Sequence, residues 1–279
     1  MKRNKIVLTA VVVALSLLIV GCGGFLLYKN LNEGQSEEEY GSLAASVMTQ
    51  QSQTASGTSS SQAQTAADAS TAQQSQTAAS TVPAAPNPVD FPTLEVQNPD
   101  IYSWINIPNT QVDYPVLQSP DDDNFYLDHG VDKDYRFAGA IYSQRCNAKD
   151  YSDRVTVLYG HNMRNGSMFA TLHWFSDPSF FAQNEQMTIY TDDRQLNYQI
   201  VAAYVYGDNH IMNSFDFNND EVYRDFLDSV LNPHSIDSNV REGATLDISD
   251  RIVILSTCLN YGDGRYLVVG KLTGESPLA

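Results

Sequence analysis

The chain reads as a mostly β domain with a few helices, built on a mostly antiparallel sheet that is closed or half-closed. Three observations lead there. Short apolar, β-branched runs bounded by turn residues recur along the chain. Helical periodicity is confined to a few stretches. Strand and helix signals do not alternate, as they would in a doubly wound sheet.

Only part of the 279 residues belongs to this domain. Residues 2–5 (KRNK) are basic, and residues 6–28 are almost wholly apolar and long enough to cross a bilayer as a helix. With Glu37, Glu38 and Glu39 following, the charge asymmetry predicts a cytoplasmic basic N-terminus (1–5), a transmembrane signal anchor (6–28) and an extracytoplasmic remainder on the cell membrane. A second reading is a signal peptide whose end, Ile19-Val20-Gly21-Cys22, resembles a lipoprotein processing box with Cys22 lipidated. The continuing run Phe25-Leu26-Leu27-Tyr28 favours the anchor, and both readings tether the domain to the outer leaflet. Residues 29–90 read as a disordered tether, because from Gly41 to Pro88 Ser, Thr, Gln and Ala dominate and offer too little apolar surface to offset ordering entropy. A flexible coil of about 55 residues would average ~40 Å end to end. The folded domain is then 91–279. A net charge of −17 excludes nucleic acid and an anionic lipid surface as main partners.

Within the domain, Asn98-Pro99-Asp100 ahead of Ile101, Trp104 and Ile105 predicts a short helix capped by Asn98. Residues 105–118 alternate as an edge strand interrupted by Pro108 and Pro115, and Asp121-Asp122-Asp123 forms a solvated turn without calcium-loop spacing. Residues 138–142 and 155–159 are strands, and Met168, Phe169, Leu172 and Trp174 mark a helical stretch. Residues 187–190 and 198–206 pair around Asp192-Asp193. Asn219 caps a helix with Val222, Tyr223, Phe226, Leu227 and Val230 on one face; Pro233 stops it, and it leads into the last two strands. Those strands, 252–255 and 266–269, are buried and joined through the reversal Leu259-Asn260-Tyr261-Gly262-Asp263-Gly264.

Each of these two strands ends at a reactive group. Cys258 lies just past the first and Arg265 opens the second, so antiparallel pairing sets thiol and guanidinium face to face. A soft nucleophile beside a permanent cation can attack a carbonyl and hold the oxyanion that results. Of the five histidines only His161 combines a preceding buried-type strand with a glycine that allows a sharp turn, which places it too at a strand end. Competing structural readings are an inert buried Cys258, a Cys146–Cys258 bridge, a structural His161, and an Arg265 paired with Asp263. No glycine-rich phosphate loop or paired-cysteine zinc pattern is present, so no cofactor and no metal is expected.

Tyr159-Gly160-His161-Asn162-Met163, Leu255-Ser256-Thr257-Cys258, and Arg265 before a Leu-Val-Val strand resemble the three signature segments of sortases, the membrane-anchored cysteine transpeptidases of Gram-positive bacteria. The run from Asn98 to Pro108, the segment Val112-Asp113-Tyr114-Pro115-Val116 and the helix before the cysteine strand are similar to class B members. The resemblance covers residues 91–273. It implies a closed eight-stranded sortase-type β-barrel with Cys258 as nucleophile, His161 as general acid and base, and Arg265 stabilising the oxyanion. It also implies that Ser256 and Leu127 line the peptide groove. The implied partners are the sorting-signal peptide of secreted surface proteins, of NPQTN-like or LPXTG-like type, and an amine of a peptidoglycan precursor or a pilin lysine.

Other classes remain open. Papain-like enzymes place the nucleophile before the histidine, and L,D-transpeptidases carry a His-Gly-Cys nucleophile motif; this chain departs from both. A stalked, non-enzymatic surface binding module would not need the thiol at all.

Overall fold

The computed structural model describes residues 38–48 and 84–279, with a few isolated positions before residue 38. The expected membrane span 6–28 lies outside the described residues apart from such positions. Among the described residues no helix is long and apolar enough to cross a membrane.

Among these residues nine strands form one sheet: β1 Ile101–Asn106, β2 Asp113–Leu117, β3 Ile141–Tyr142, β4 Val155–Tyr159, β5 Gln186–Tyr190, β6 Arg194–Tyr206, β7 Ser238–Val240, β8 Ile252–Cys258 and β9 Arg265–Pro277. Their order is β5-β1-β2-β3-β4-β8-β9-β6-β7, and β5 also pairs with β6. That last pairing closes eight strands into a barrel and leaves β7 as a spur on β6. The closed eight-stranded expectation holds, with two parallel contacts, β2–β3 and β4–β8, set among the antiparallel ones.

The largely apolar runs of β4, β8 and β9 follow from burial on both faces. Leu158, Val253, Leu255 and Val268 point into the barrel core. Val155, Val157, Ile252, Ile254, Leu267 and Val269 pack outward under α5, Asp220–Leu231, which follows the short helix α4, Ile211–Ser214, and whose Tyr223, Phe226, Leu227 and Val230 cover them. Asn219 caps α5 as its sequence indicates, accepting from the Glu221 and Val222 N–H groups. β7 lies between α5 and β8, so the helix does not lead directly into the cysteine strand.

Three further expectations are corrected. The segment after Asn98 is strand β1 and not a helix. Ile101, Trp104 and Ile105 match one helical face, but Ser103 is buried as well, bonded to the Tyr151 hydroxyl at 2.7 Å, so both faces of the segment are covered. Asn98 instead ends helix α2, Phe91–Gln97, which Asp90 caps at its start, and its side chain accepts from the Asp100 N–H in a local turn. The second correction concerns β2, which is an interior strand paired with β1 and β3 despite Pro115. The helical stretch expected near Leu172 is present as a 3-10 segment, Ala170–Ser176, preceding α3, Pro178–Gln183.

The third lies inside the stretch read as tether. Residues 38–47 form a helix, α1, whose Tyr40, Leu43 and Val47 fall at one-face spacing and are buried on the barrel. The Tyr40 hydroxyl donates to the Gly139 carbonyl at 2.8 Å, its ring meets Tyr114 edge-on at 5.5 Å, and Glu39 pairs with Arg136. Met48 bridges to Val89, and the Asp90 N–H donates to the Val47 carbonyl. Three apolar side chains suffice to dock one face, and a composition average over some fifty residues conceals them.

Leu43→Ala should lower the unfolding free energy in urea by about 2–3 kcal/mol, as for a buried leucine. An undocked helix would register almost no change.

Candidate active site

Strand parity builds the site. Outward positions on β8 run Ile252, Ile254, Ser256, Cys258, and those on β9 run Val269, Leu267, Arg265; on β4 they run Val155, Val157, Tyr159, with His161 two residues beyond. α5 covers the first rungs of each ladder and leaves the last rungs open. β8 and β9 pair in register from Ile252↔Lys271 to Cys258↔Arg265, so nucleophile and cation are direct cross-strand partners. Tyr159 pairs with Ser256, and the ladder continues as the Gly160 N–H donates to the Ser256 carbonyl at 3.2 Å.

Gly160 is required where it stands. A Cβ there would lie 2.5 Å from the Ile141 side chain and 2.7 Å from Phe169, so any larger residue would push His161 off the sheet edge. Gly264, at φ +139°, lets the chain turn back into Arg265 from the reversal after Cys258.

The open rungs face a cleft of roughly 210 Å³ lined by Leu127, Tyr142, His161, Ser256, Cys258 and Arg265. All five residues singled out from the sequence therefore share one concavity. Cys258 is exposed, while Ser256 and Thr257 before it are buried. Cys258 and Cys146 are both free thiols, so no bridge joins them; burial and then the Asp123 charge push the Cys146 thiol up. Among the described residues no carboxylate pairs with Arg265, whose Nη1 donates to the Gly264 carbonyl at 2.9 Å. The alternative Asp263 pairing is absent, and the guanidinium keeps donors for a ligand. Asp123, in the acidic turn, is engaged by Arg145. Among the described residues no three His, Cys, Asp or Glu side chains converge to hold a metal ion.

His161 is held on two sides. Its Nε2 lies 2.8 Å from the Leu127 carbonyl, and its ring stacks on Phe137 at 5.9 Å with 12° between planes. A carbonyl only accepts, so Nε2 carries the proton and the neutral ring presents Nδ1 as its basic atom. Burial lowers the His161 pKa, against the opposing effects of the Leu127 carbonyl and the Asp128 charge. Tyr142 is pushed up to about 12, first by burial; Arg265 pulls it down and Cys258 pushes it up, as expected for a phenol beside both groups. The Tyr159 hydroxyl is buried without a partner among the described residues. A thiol, a cation, a tethered imidazole and aromatic walls on one open edge suit acyl transfer through a covalent thioester.

Sequence reasoning missed Asn162 and His173. Both hydrogen-bond the Cys258 main-chain carbonyl, at 3.1 and 3.0 Å, and His173 stacks on Tyr266 at 4.8 Å. Asn162 adjoins His161 and was visible as a neighbour; nothing in the spacing of His173 connects it to residue 258.

A family model described as the sortase domain matches residues 105–273. Sortase B of Listeria monocytogenes is 32% identical over 182 residues, covering 64% of this chain and 72% of the relative. Sortase B of Staphylococcus aureus is 32% identical over 187 residues, covering 65% of this chain and 74% of the relative. The X-ray structure of Clostridium perfringens sortase B is similar with a TM-score of 0.60 at 32% identity, covering 66% of this chain and 100% of that one.

The lowered pKa of His161 fixes the sign of a pH effect. The folded ring releases its proton below the ordinary value of 6.5 and the unfolded chain near it, so the unfolded state binds more protons as pH falls. The contribution to stability is present above that ordinary value and is lost as pH drops through the folded midpoint. An NMR titration should place the His161 midpoint below 6.5.

Proposed function

The chain belongs to the sortase family, whose members are cysteine transpeptidases, and we propose that it cleaves a C-terminal sorting signal of secreted proteins after threonine. We further propose that it transfers the acyl fragment to an amine of a peptidoglycan precursor, with the domain held on the outer face of the cell membrane by residues 6–28. The observation that carries this reading is the register pairing of Cys258 with Arg265 on the edge that His161 flanks.

In this reading the Cys258 thiol gives its proton to His161 Nδ1, and the thiolate attacks the threonine carbonyl. A C–S bond forms, and the carbonyl electron pair moves to oxygen, where Arg265 and the Leu259 N–H receive it. When the tetrahedral intermediate collapses, the C–N bond breaks and His161 returns its proton to the leaving amine. Burial of the ring, which disfavours the imidazolium, favours that return. The acceptor amine then attacks the thioester while neutral Nδ1 takes its proton, and the thiol leaves. Leu127 and Ser256 are assigned to the peptide groove, beside the unpartnered Tyr159 hydroxyl. No step calls for a cofactor.

The test incubates the full-length chain in detergent with fluorogenic NPQTN-like and LPXTG-like peptides, with and without an amine acceptor, followed by mass spectrometry. Wild type should show a thioacyl adduct on Cys258 and acceptor-joined product. Cys258→Ala should abolish both, and Arg265→Ala should slow acylation by about 100-fold or more, the scale for one oxyanion donor. Turnover that survives Cys258→Ala would overturn the mechanism. Joining only to a pilin lysine peptide, and not to a peptidoglycan-type amine, would replace the acceptor class.

A further inference from the structure

The peptide unit that follows the nucleophile is clamped from one side. The Cys258 carbonyl receives two side-chain hydrogen bonds, from Asn162 Nδ2 at 3.1 Å and from His173 Nε2 at 3.0 Å. Because a carbonyl only accepts, His173 Nε2 carries a proton. The Asn162 amide lies 3.1 Å from that same nitrogen and directs its hydrogens to the carbonyl and to Asn260 Oδ1 at 2.9 Å. His173 is fixed in turn by its stack on Tyr266, whose register partner is Thr257. Neither Asn162 nor His173 lines the cleft.

The direction of the clamp matters for the other half of the peptide. On β8 the Ser256 carbonyl faces β4, where it accepts from the Gly160 N–H, and carbonyls two residues apart in a strand point the same way. The Cys258 carbonyl therefore faces the chain that continues β4, where Asn162 sits. A trans peptide is planar with C=O and N–H opposed, so the Leu259 N–H is turned toward β9, where Arg265 begins. Among the described residues that N–H makes no hydrogen bond.

We propose that Asn162 and His173 are positioning residues that lock the Cys258–Leu259 peptide plane, so that the Leu259 N–H and Arg265 converge on the developing oxyanion. The inference rests on the acyl-transfer reading above and adds to it two residues outside the cleft. Without the clamp, the segment 259–264 leaves the peptide free to rotate. The oxyanion then loses one of two donors while the thiol, the imidazole and the groove stay in place.

The test exploits a reaction of the same sulfur that builds no oxyanion. Alkylation of Cys258 by iodoacetamide displaces iodide from a saturated carbon and reads only thiolate formation and access. Full-length wild type, Asn162→Ala, His173→Ala and the double variant are compared in alkylation from pH 5 to 9 and in single-turnover acylation by the peptides above. We expect acylation to fall about 10-fold in each single variant and about 100-fold in the double, with KM within about threefold and alkylation within about twofold across the pH range. Acylation at the wild-type rate in the double variant overturns the inference and leaves the transpeptidase reading intact. Alkylation and acylation falling in parallel overturns it too, because the residues would then support the thiol or the fold. A wild type that alkylates normally but acylates with no peptide overturns the transpeptidase reading, and the inference with it.

Discussion

The registered pairing of β8 with its two neighbours is the constraint on which the rest depends. Parallel to β4 and antiparallel to β9, β8 sets Tyr159 opposite Ser256 and Cys258 opposite Arg265. A slip of one residue on either side would turn an entire ladder to the other face. The apolar rungs under α5 forbid that slip, since it would exchange valines and isoleucines between the core and the helix interface. The reactive groups thus inherit their positions from hydrophobic burial a few residues away. No interaction among the reactive groups themselves is needed to hold them on one edge.

That inheritance lets the cleft remain electrostatically unfinished. Arg265 lacks a carboxylate partner among the described residues, Cys258 is exposed, and the Tyr159 hydroxyl is buried without a bond. An unpaired guanidinium and an unbonded hydroxyl would each be a cost in an ordinary core. The cost is carried by a closed barrel with two apolar layers, and the unfilled donors are what an arriving peptide carbonyl would meet. The imidazole is the opposite case. Leu127 and Phe137 fix its tautomer and its plane, and both belong to the segment that α1 buttresses through Tyr40 and Gly139. A Cβ on Gly139 would lie 2.4 Å from the Leu127 oxygen, so this segment is packed directly against the acceptor of the imidazole proton.

Much of this was legible in the sequence, wherever a local signal and the tertiary outcome agree. The ends of β4, β8 and β9 and the capped and striped α5 follow from strand runs and caps, Cys258, His161 and Arg265 from their places at strand ends, and Ser256 and Leu127 from the family resemblance alone. What escaped did so for identifiable reasons. β1 is covered on both faces and carries a buried serine, so its apolar residues imitate a helical stripe. α1 docks through three side chains within a stretch whose average composition is that of a coil. His173 reaches the Cys258 carbonyl only because the 3-10 segment packs beside β9, a contact between residues 85 apart in sequence.

The bridge between Met48 and Val89 brings two points 41 residues apart in sequence to one place on the barrel. Doubling the number of residues between two points so joined costs only ~0.6 kcal/mol of closure entropy. The sequence spacing between α1 and α2 is therefore free to drift across generations while Tyr40 stays on the Gly139 carbonyl, behind the acceptor of the imidazole proton.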